Sequence, residues 1–126
     1  MPSATPDCPS ARCTVGSRVM GVVQHDGTVA YLHKPIAVDA DFVEIATRGR
    51  PPEERFRFAD KCAEGGCSQW TGSRCGVSDR IVRHFADDAT RSGKIPECGL
   101  RPTCRWFRQN GLDACAVCPL VTTTVV

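Results

Sequence analysis

Apolar positions along the chain change period several times, and each change marks an element. Residues 18–24 (RVMGVVQ) and 28–33 (TVAYLH) are rich in apolar and β-branched side chains and flank Asp26-Gly27, a tight-turn pair. They predict a β-hairpin. In DADFVEIATRGRPP, residues 39–52, Phe42, Ile45 and Ala46 fall on one helical face. Asp41 and Glu44 have capping-box spacing, Gly49 suits a C-terminal cap, and Pro51-Pro52 forbids continuation. The alternation of Phe56 and Phe58 in ERFRFADKC predicts a short strand that delivers the chain to Cys62.

Further on, VSDRIVRHFADDATRSG (residues 77–93) predicts a helix with Ser78 as N-cap and Gly93 as stop. Its apolar stripe is Ile81, Val82, Phe85 and Ala89. A second short helix is expected within TCRWFRQNGLDAC (103–115), broken at Asn110-Gly111, and the tail PLVTTTVV reads as a strand or extended arm. Residues 1–16 are rich in Pro, Ser and Thr and show no periodicity, which predicts a flexible arm. Residues 17–126 then form a single Cys-rich domain. The fold class expected is α+β: an N-terminal β-hairpin and short helix, followed by a Cys-rich half of helices and loops around metal clusters.

Composition narrows the chemistry. The chain has 126 residues, of which 6% are aromatic, so its core is modest and a metal site would help to hold it. A net charge of +2 gives no strong pull toward nucleic acid or a membrane surface. No stretch approaches the roughly 20 apolar residues that span a bilayer, and the first residues lack the apolar segment of a secretory signal. A cytoplasmic location follows as the expectation. Nine cysteines in a reducing compartment argue against disulfides, and the odd count would leave one unpaired.

Seven of the nine lie between residues 62 and 118. Cys62, Cys67 and Cys75 follow C-x4-C-x7-C, a helical spacer of 22 residues intervenes, and Cys98, Cys104, Cys115 and Cys118 follow C-x5-C-x10-C-x2-C. In CAVCP, the short spacing lets Cys115 and Cys118 reach one metal centre. This fragment resembles the closing part of bacterial ferredoxin motifs, where a ligand Cys precedes Pro. The repeated C-x2-C run of those proteins is absent, so the fragment names no family. Structural zinc commonly takes two short-spaced pairs, and only one is present. Irregular gaps suit an iron–sulfur cluster, in which each Cys binds a different iron. Seven ligands divide as one set of four and one of three. The fourth ligand of the 62–75 group is open: His84, a Cys from the arm, or an exchangeable small molecule. Cys8 and Cys13, on the arm, are expected to be dispensable. His25 and His33 read as surface residues beside a turn.

Gly65, Gly66, Gly76 and Gly99 crowd the cysteines and can bring backbone N–H groups close to sulfur. Trp70, Trp106 and Phe107 serve either as core or as a screen against water. Arg101, Arg105 and Arg108 stand near two aromatics, either as a nucleic-acid stacking patch or as cations offsetting a cluster's charge. The expectation is a small iron–sulfur protein with one or two clusters of the [4Fe–4S] type. It would act in electron transfer, or as a cluster-dependent partner or enzyme with an open iron site, with a redox or enzyme protein as its partner. The alternatives are a zinc-stabilised module binding protein or nucleic acid, a secreted disulfide-stapled domain, and a reactive thiol, for which Cys75 near a helix start is the best placed.

Overall fold

The computed structural model describes residues 5–85 and 95–121. The chain folds as α+β, with one four-stranded antiparallel sheet of order β1-β4-β2-β3 and several short helices. The predicted hairpin is present as β2 (Arg18–Val23) and β3 (Val29–Ala37). At its turn the Gln24 N–H donates to the Thr28 carbonyl at 2.7 Å, and Gly27 takes φ +90°. The Asp26 carboxylate accepts from both the N–H and the hydroxyl of Thr28, which fixes the loop locally. The Phe56/Phe58 segment is β4 (Phe56–Lys61), an inner strand between β1 and β2.

The first strand corrects the expectation of a flexible arm over residues 1–16 for its described part, residues 5–16. Residues Asp7–Ala11 form β1 and pair antiparallel with β4, with Asp7 opposite Lys61 and Cys8 opposite Asp60. Asp7, Pro9 and Cys13 are buried. Proline lacks an N–H, but an edge strand tolerates this. The polar composition misled because Asp7 meets its needs inside the fold, with Arg18 at 2.7 Å and the Thr103 hydroxyl at 2.6 Å.

Successive residues of a strand face opposite sides, and both faces of this sheet are covered. On one, Phe42, Phe56 and Phe58 meet edge to face with centroids 5.7–6.1 Å apart, beside Cys13, Val19 and Val38. Helix α1 (Ala40–Ala46) closes that side. Asp39, not the Asp41–Glu44 box, caps it by accepting from the Phe42 N–H at 2.8 Å, and Glu44 pairs with Arg48 instead. This register leaves Ile45 63% exposed and turns Phe42, Val43 and Ala46 inward.

The other face carries Met20 and Ala59 and receives the Cys-rich half. Helix α2 (Gly76–His84) begins at Gly76 with Cys75 in the cap position, so Ser78 is not the cap. Ser78 is buried inside the helix and its hydroxyl accepts from Asn110 Nδ2 at 2.6 Å. Ala89 and Gly93 lie outside the described residues, as does the tail beyond Val121. Helix α3 (Arg105–Asn110) stops at Gly111, whose φ of +64° suits the predicted break, and α4 (Leu112–Val117) follows. Trp106, Leu100 and Val117 are the large buried side chains of this layer. Among the described residues no helix is long and apolar enough to cross a membrane.

Candidate metal centres

Cys98, Cys104, Cys115 and Cys118 line one cavity between the second sheet face and helices α3 and α4. Each arrives by a local device. The loop holding Cys98 is pinned to β3, where the Gly99 N–H donates to the Leu32 carbonyl at 3.2 Å. Only glycine fits there, because a Cβ at residue 99 would lie 2.1 Å from the His33 carbonyl oxygen. Cys104 occupies the cap position of α3. Cys115 and Cys118, three residues apart at the end of α4, fall on the same side of the chain. The cavity is small, about 20 Å³, room for about one water molecule, so a larger group held there would need its walls to part.

The thiols of this cavity are surrounded by N–H donors. The backbone N–H groups of Leu100 and Arg101 face Cys98, and those of Phe107 and Trp106 face Cys104. Arg101 Nε lies 3.4 Å from Cys115 Sγ, and Arg57 Nη2 lies 3.3 Å from Cys118 Sγ. Such donors favour the thiolate form. Burial opposes them. It raises the Cys98 and Cys115 thiols and pushes Cys104 up to about 12. A bound cation would reverse that balance, because it stabilises the thiolates directly.

Arg57 is fully buried on β4. Its guanidinium donates to the carbonyls of Pro9, Cys118 and Val121 at 2.7–3.0 Å and lies 5.5 Å from the Trp106 ring centre. No carboxylate among the described residues pairs with it. Burial alone would lower its pKa, but the nearby Cys118 and Tyr31 outweigh that and raise it. A buried cation without a charged partner costs several kcal/mol; the carbonyl acceptors offset part of that cost here, and an anion in the cavity would offset more. On the same wall Trp106 Nε1 is buried without an acceptor, and the Tyr31 hydroxyl stands beside Cys118. Sulfur-rich anionic chemistry fits such a lining.

A second, wider cleft lies on the far side of Trp106, which lines both spaces. Cys62, Cys67 and Cys75 line it, as expected of neighbours in sequence, and so does Cys8. About 470 Å³ of this cleft admits water. Cys62 follows β4, and its N–H donates to the Pro6 carbonyl at 2.9 Å, so the ends of β1 and β4 stay together. Cys67 ends a short 3-10 turn (Glu64–Gly66), and Cys75 caps α2. The Gln69 N–H lies 3.4 Å from Cys67 Sγ and the Ser10 N–H 3.5 Å from Cys8 Sγ. Burial pushes the Cys8 thiol up to about 11, with Cys62 and Cys75 close enough to add to the shift. Arg105 lines the cleft with its Nε buried and unpartnered, stacks 4.9 Å from the Trp70 ring centre, and pairs with Glu64 through its other nitrogen.

His84 does not stand where a fourth ligand would. It is exposed on the last turn of α2, edge-on to Phe85 with centroids 4.8 Å apart, and lines neither space. Cys13 is buried with Val19, Val38 and Phe58, where its N–H donates to Glu53 at 2.8 Å. Arg101 and Arg105 are engaged with Cys115 and Glu64, which leaves them poorly placed as a stacking patch. Sequence reasoning read Cys8 as dispensable, keeping an arm Cys only as one of three candidates for the fourth ligand, and did not single out Arg57 or Tyr31. For Arg57 a signal existed, since a strand with Phe56 and Phe58 on one face puts Arg57 on the other. Among the described residues no three His, Cys, Asp or Glu side chains converge closely enough to hold a single metal ion. No known protein family, curated protein or solved structure matches the chain.

Proposed function

We propose that this chain is a small cytoplasmic iron–sulfur protein whose inner cluster, of the [4Fe–4S] type, is held by Cys98, Cys104, Cys115 and Cys118, and that it carries single electrons to and from a protein partner. The observation that carries this reading is the fully buried Arg57 beside Cys118, in a cavity lined by four thiols. An oxidised cubane with four thiolates has a net charge of about −2, which answers the buried guanidinium. Arg101, the N–H donors around each sulfur, the Tyr31 hydroxyl and Trp106 Nε1 are the kind of surroundings that tune a cluster's potential.

Zinc is the competing metal. It holds four ligands at about 2.0–2.3 Å from one point, whereas in a cubane each thiolate binds a different iron. Four sulfurs distributed round a cavity wall favour the cluster. A cluster held by these four cysteines would supply one-electron redox chemistry, with no bond made in the protein. The residues' part is to hold the sulfurs, exclude water through Trp106 and Phe107, and set the potential through Arg57 and Arg101.

The test is the amount of iron, acid-labile sulfide and zinc per chain after purification without oxygen. Brown protein with equal iron and sulfide is expected. Colourless protein containing zinc and no sulfide would reject the reading.

A further inference from the structure

We propose that Cys8, Cys62, Cys67 and Cys75 are the four thiolate ligands of a second iron–sulfur cluster, seated in the open cleft on the far side of Trp106. This rests on the iron–sulfur reading above and deepens it, since it closes the coordination of a site whose sequence neighbours number only three. The four side chains come from separate parts of the chain and line one cleft. Cys8 is held there by strand pairing, with its residue opposite Asp60 two positions before Cys62. The Cys62 N–H to Pro6 carbonyl bond ties the same two strand ends together.

The remaining cysteine is excluded by its packing, because Cys13 is buried with Val19, Val38 and Phe58 and does not line the cleft. His84 is excluded by its place on the exposed end of α2. The cleft suits an anion. Arg12, Lys61 and Arg105 line it with Asp60, Arg105 also pairing with Glu64 and Lys61 lying 3.8 Å from Asp7, and the Arg105 Nε–H has no acceptor in the protein. The N–H groups of Ser10 and Gln69 already address two of the four sulfurs. With four thiolates the cluster has no iron reserved for substrate, so the outer site is one of electron exchange. Its wide opening puts it where a partner's own redox centre can approach.

The experiment uses the full chain, prepared without oxygen, and compares the parent with Cys8→Ala, Cys8→Ser and Cys13→Ala. Two four-iron clusters would give about eight irons and eight sulfides per chain. Cys8→Ala should halve the iron, or else retain it with one iron site whose electron paramagnetic resonance signal now responds to added cyanide. Cys13→Ala should match the parent. Persistence of the inner cluster's signal in Cys8→Ala shows that the fold survives. If Cys8→Ala loses both clusters, Cys8→Ser is the second probe, because it preserves side-chain size; it should shift the signal of one cluster and leave the other unchanged. A Cys8→Ala protein with the parent's iron content and no cyanide response overturns the proposal, as does a parent with only one cluster. A parent with two zinc ions and no sulfide, falling to one zinc in Cys8→Ala, would reject the iron–sulfur reading while keeping this grouping of four thiols. A parent that binds no metal rejects both.

Discussion

Arg57 Nη2 lies 3.3 Å from Cys118 Sγ, which sets a fully buried cation against a thiol of the inner cavity. The same guanidinium donates to the carbonyls of Pro9, Cys118 and Val121, so it joins β1 to the C-terminal turn. Arg57→Met should therefore cost about 3 kcal/mol, because buried carbonyls lose their donors at about 1–3 kcal/mol each and only part of that is recovered by relaxation. Urea unfolding of metal-free protein measures this. In loaded protein, loss of the cation should make cluster reduction harder and move the potential to more negative values. An unchanged potential in a variant that keeps its iron would separate Arg57 from the cluster.

A second expectation concerns alkaline pH. In metal-free protein Cys104 is raised from its ordinary value near 9 to about 12, and Cys8 to about 11. The folded state then holds protons that the unfolded state releases. This contribution to stability is fully present below about pH 9 and is lost as pH rises through about 11 to 12. For Cys104 the loss is on the order of a few kcal/mol. Metal-bound thiolates carry no such proton, so loaded protein should lack this slope. Parallel urea titrations at several values between pH 8 and pH 11 compare the two forms; identical slopes would show that these thiols are not ligands.

Asp7 links three elements, pairing with Arg18 on β2, lying 3.8 Å from Lys61 on β4, and accepting from Thr103 before α3. Burial raises its pKa, but Arg18 and Thr103 outweigh burial and hold the carboxyl below its ordinary 3.8. Its contribution is present above that value and is lost as pH falls below it. Asp7→Asn should cost about 1–3 kcal/mol at neutral pH, and the loss relative to the parent should shrink in acid. Because β1 carries Cys8, the variant should also release iron from the outer site sooner than from the inner one, which timed chelation with a coloured iron chelator would detect.

Gly99→Ala places a methyl group 2.1 Å from a backbone oxygen of β3. Backbone cannot yield as a flexible side chain does, so the Cys98 loop must lift from the strand. A cost of about 1–3 kcal/mol is expected, together with weaker metal retention at the inner site. Gly65→Ala is the control, since no atom lies within 4 Å of the added carbon. Thermal unfolding and iron content of the two variants should differ clearly; equal behaviour would mean that the loop is not held as described.

What the sequence determined by itself is local. Asp26-Gly27 sets a hairpin, Phe56 and Phe58 set a strand, and Asn110-Gly111 breaks a helix, because each depends on backbone preferences within a few residues, whereas α1 stops at Thr47, before Pro51-Pro52 is reached. Composition and spacing likewise pointed to the cysteines as the candidate chemistry. Tertiary structure decided which thiols stand together. Cys8 meets Cys62 only because β1 is laid against β4, and no short-range preference encodes that pairing. The same step divided Cys13 from Cys8, since Cys13 packs with Val19, Val38 and Phe58 while Cys8 lines the cleft with Cys62 and Cys75. Arg57 shows the reason most plainly. Alternation along β4 puts it opposite the two phenylalanines, where a one-sided sheet would leave it in water. Here helices α3 and α4 cover that face, and a position that reads as solvent in the sequence becomes the buried cation beside the thiols.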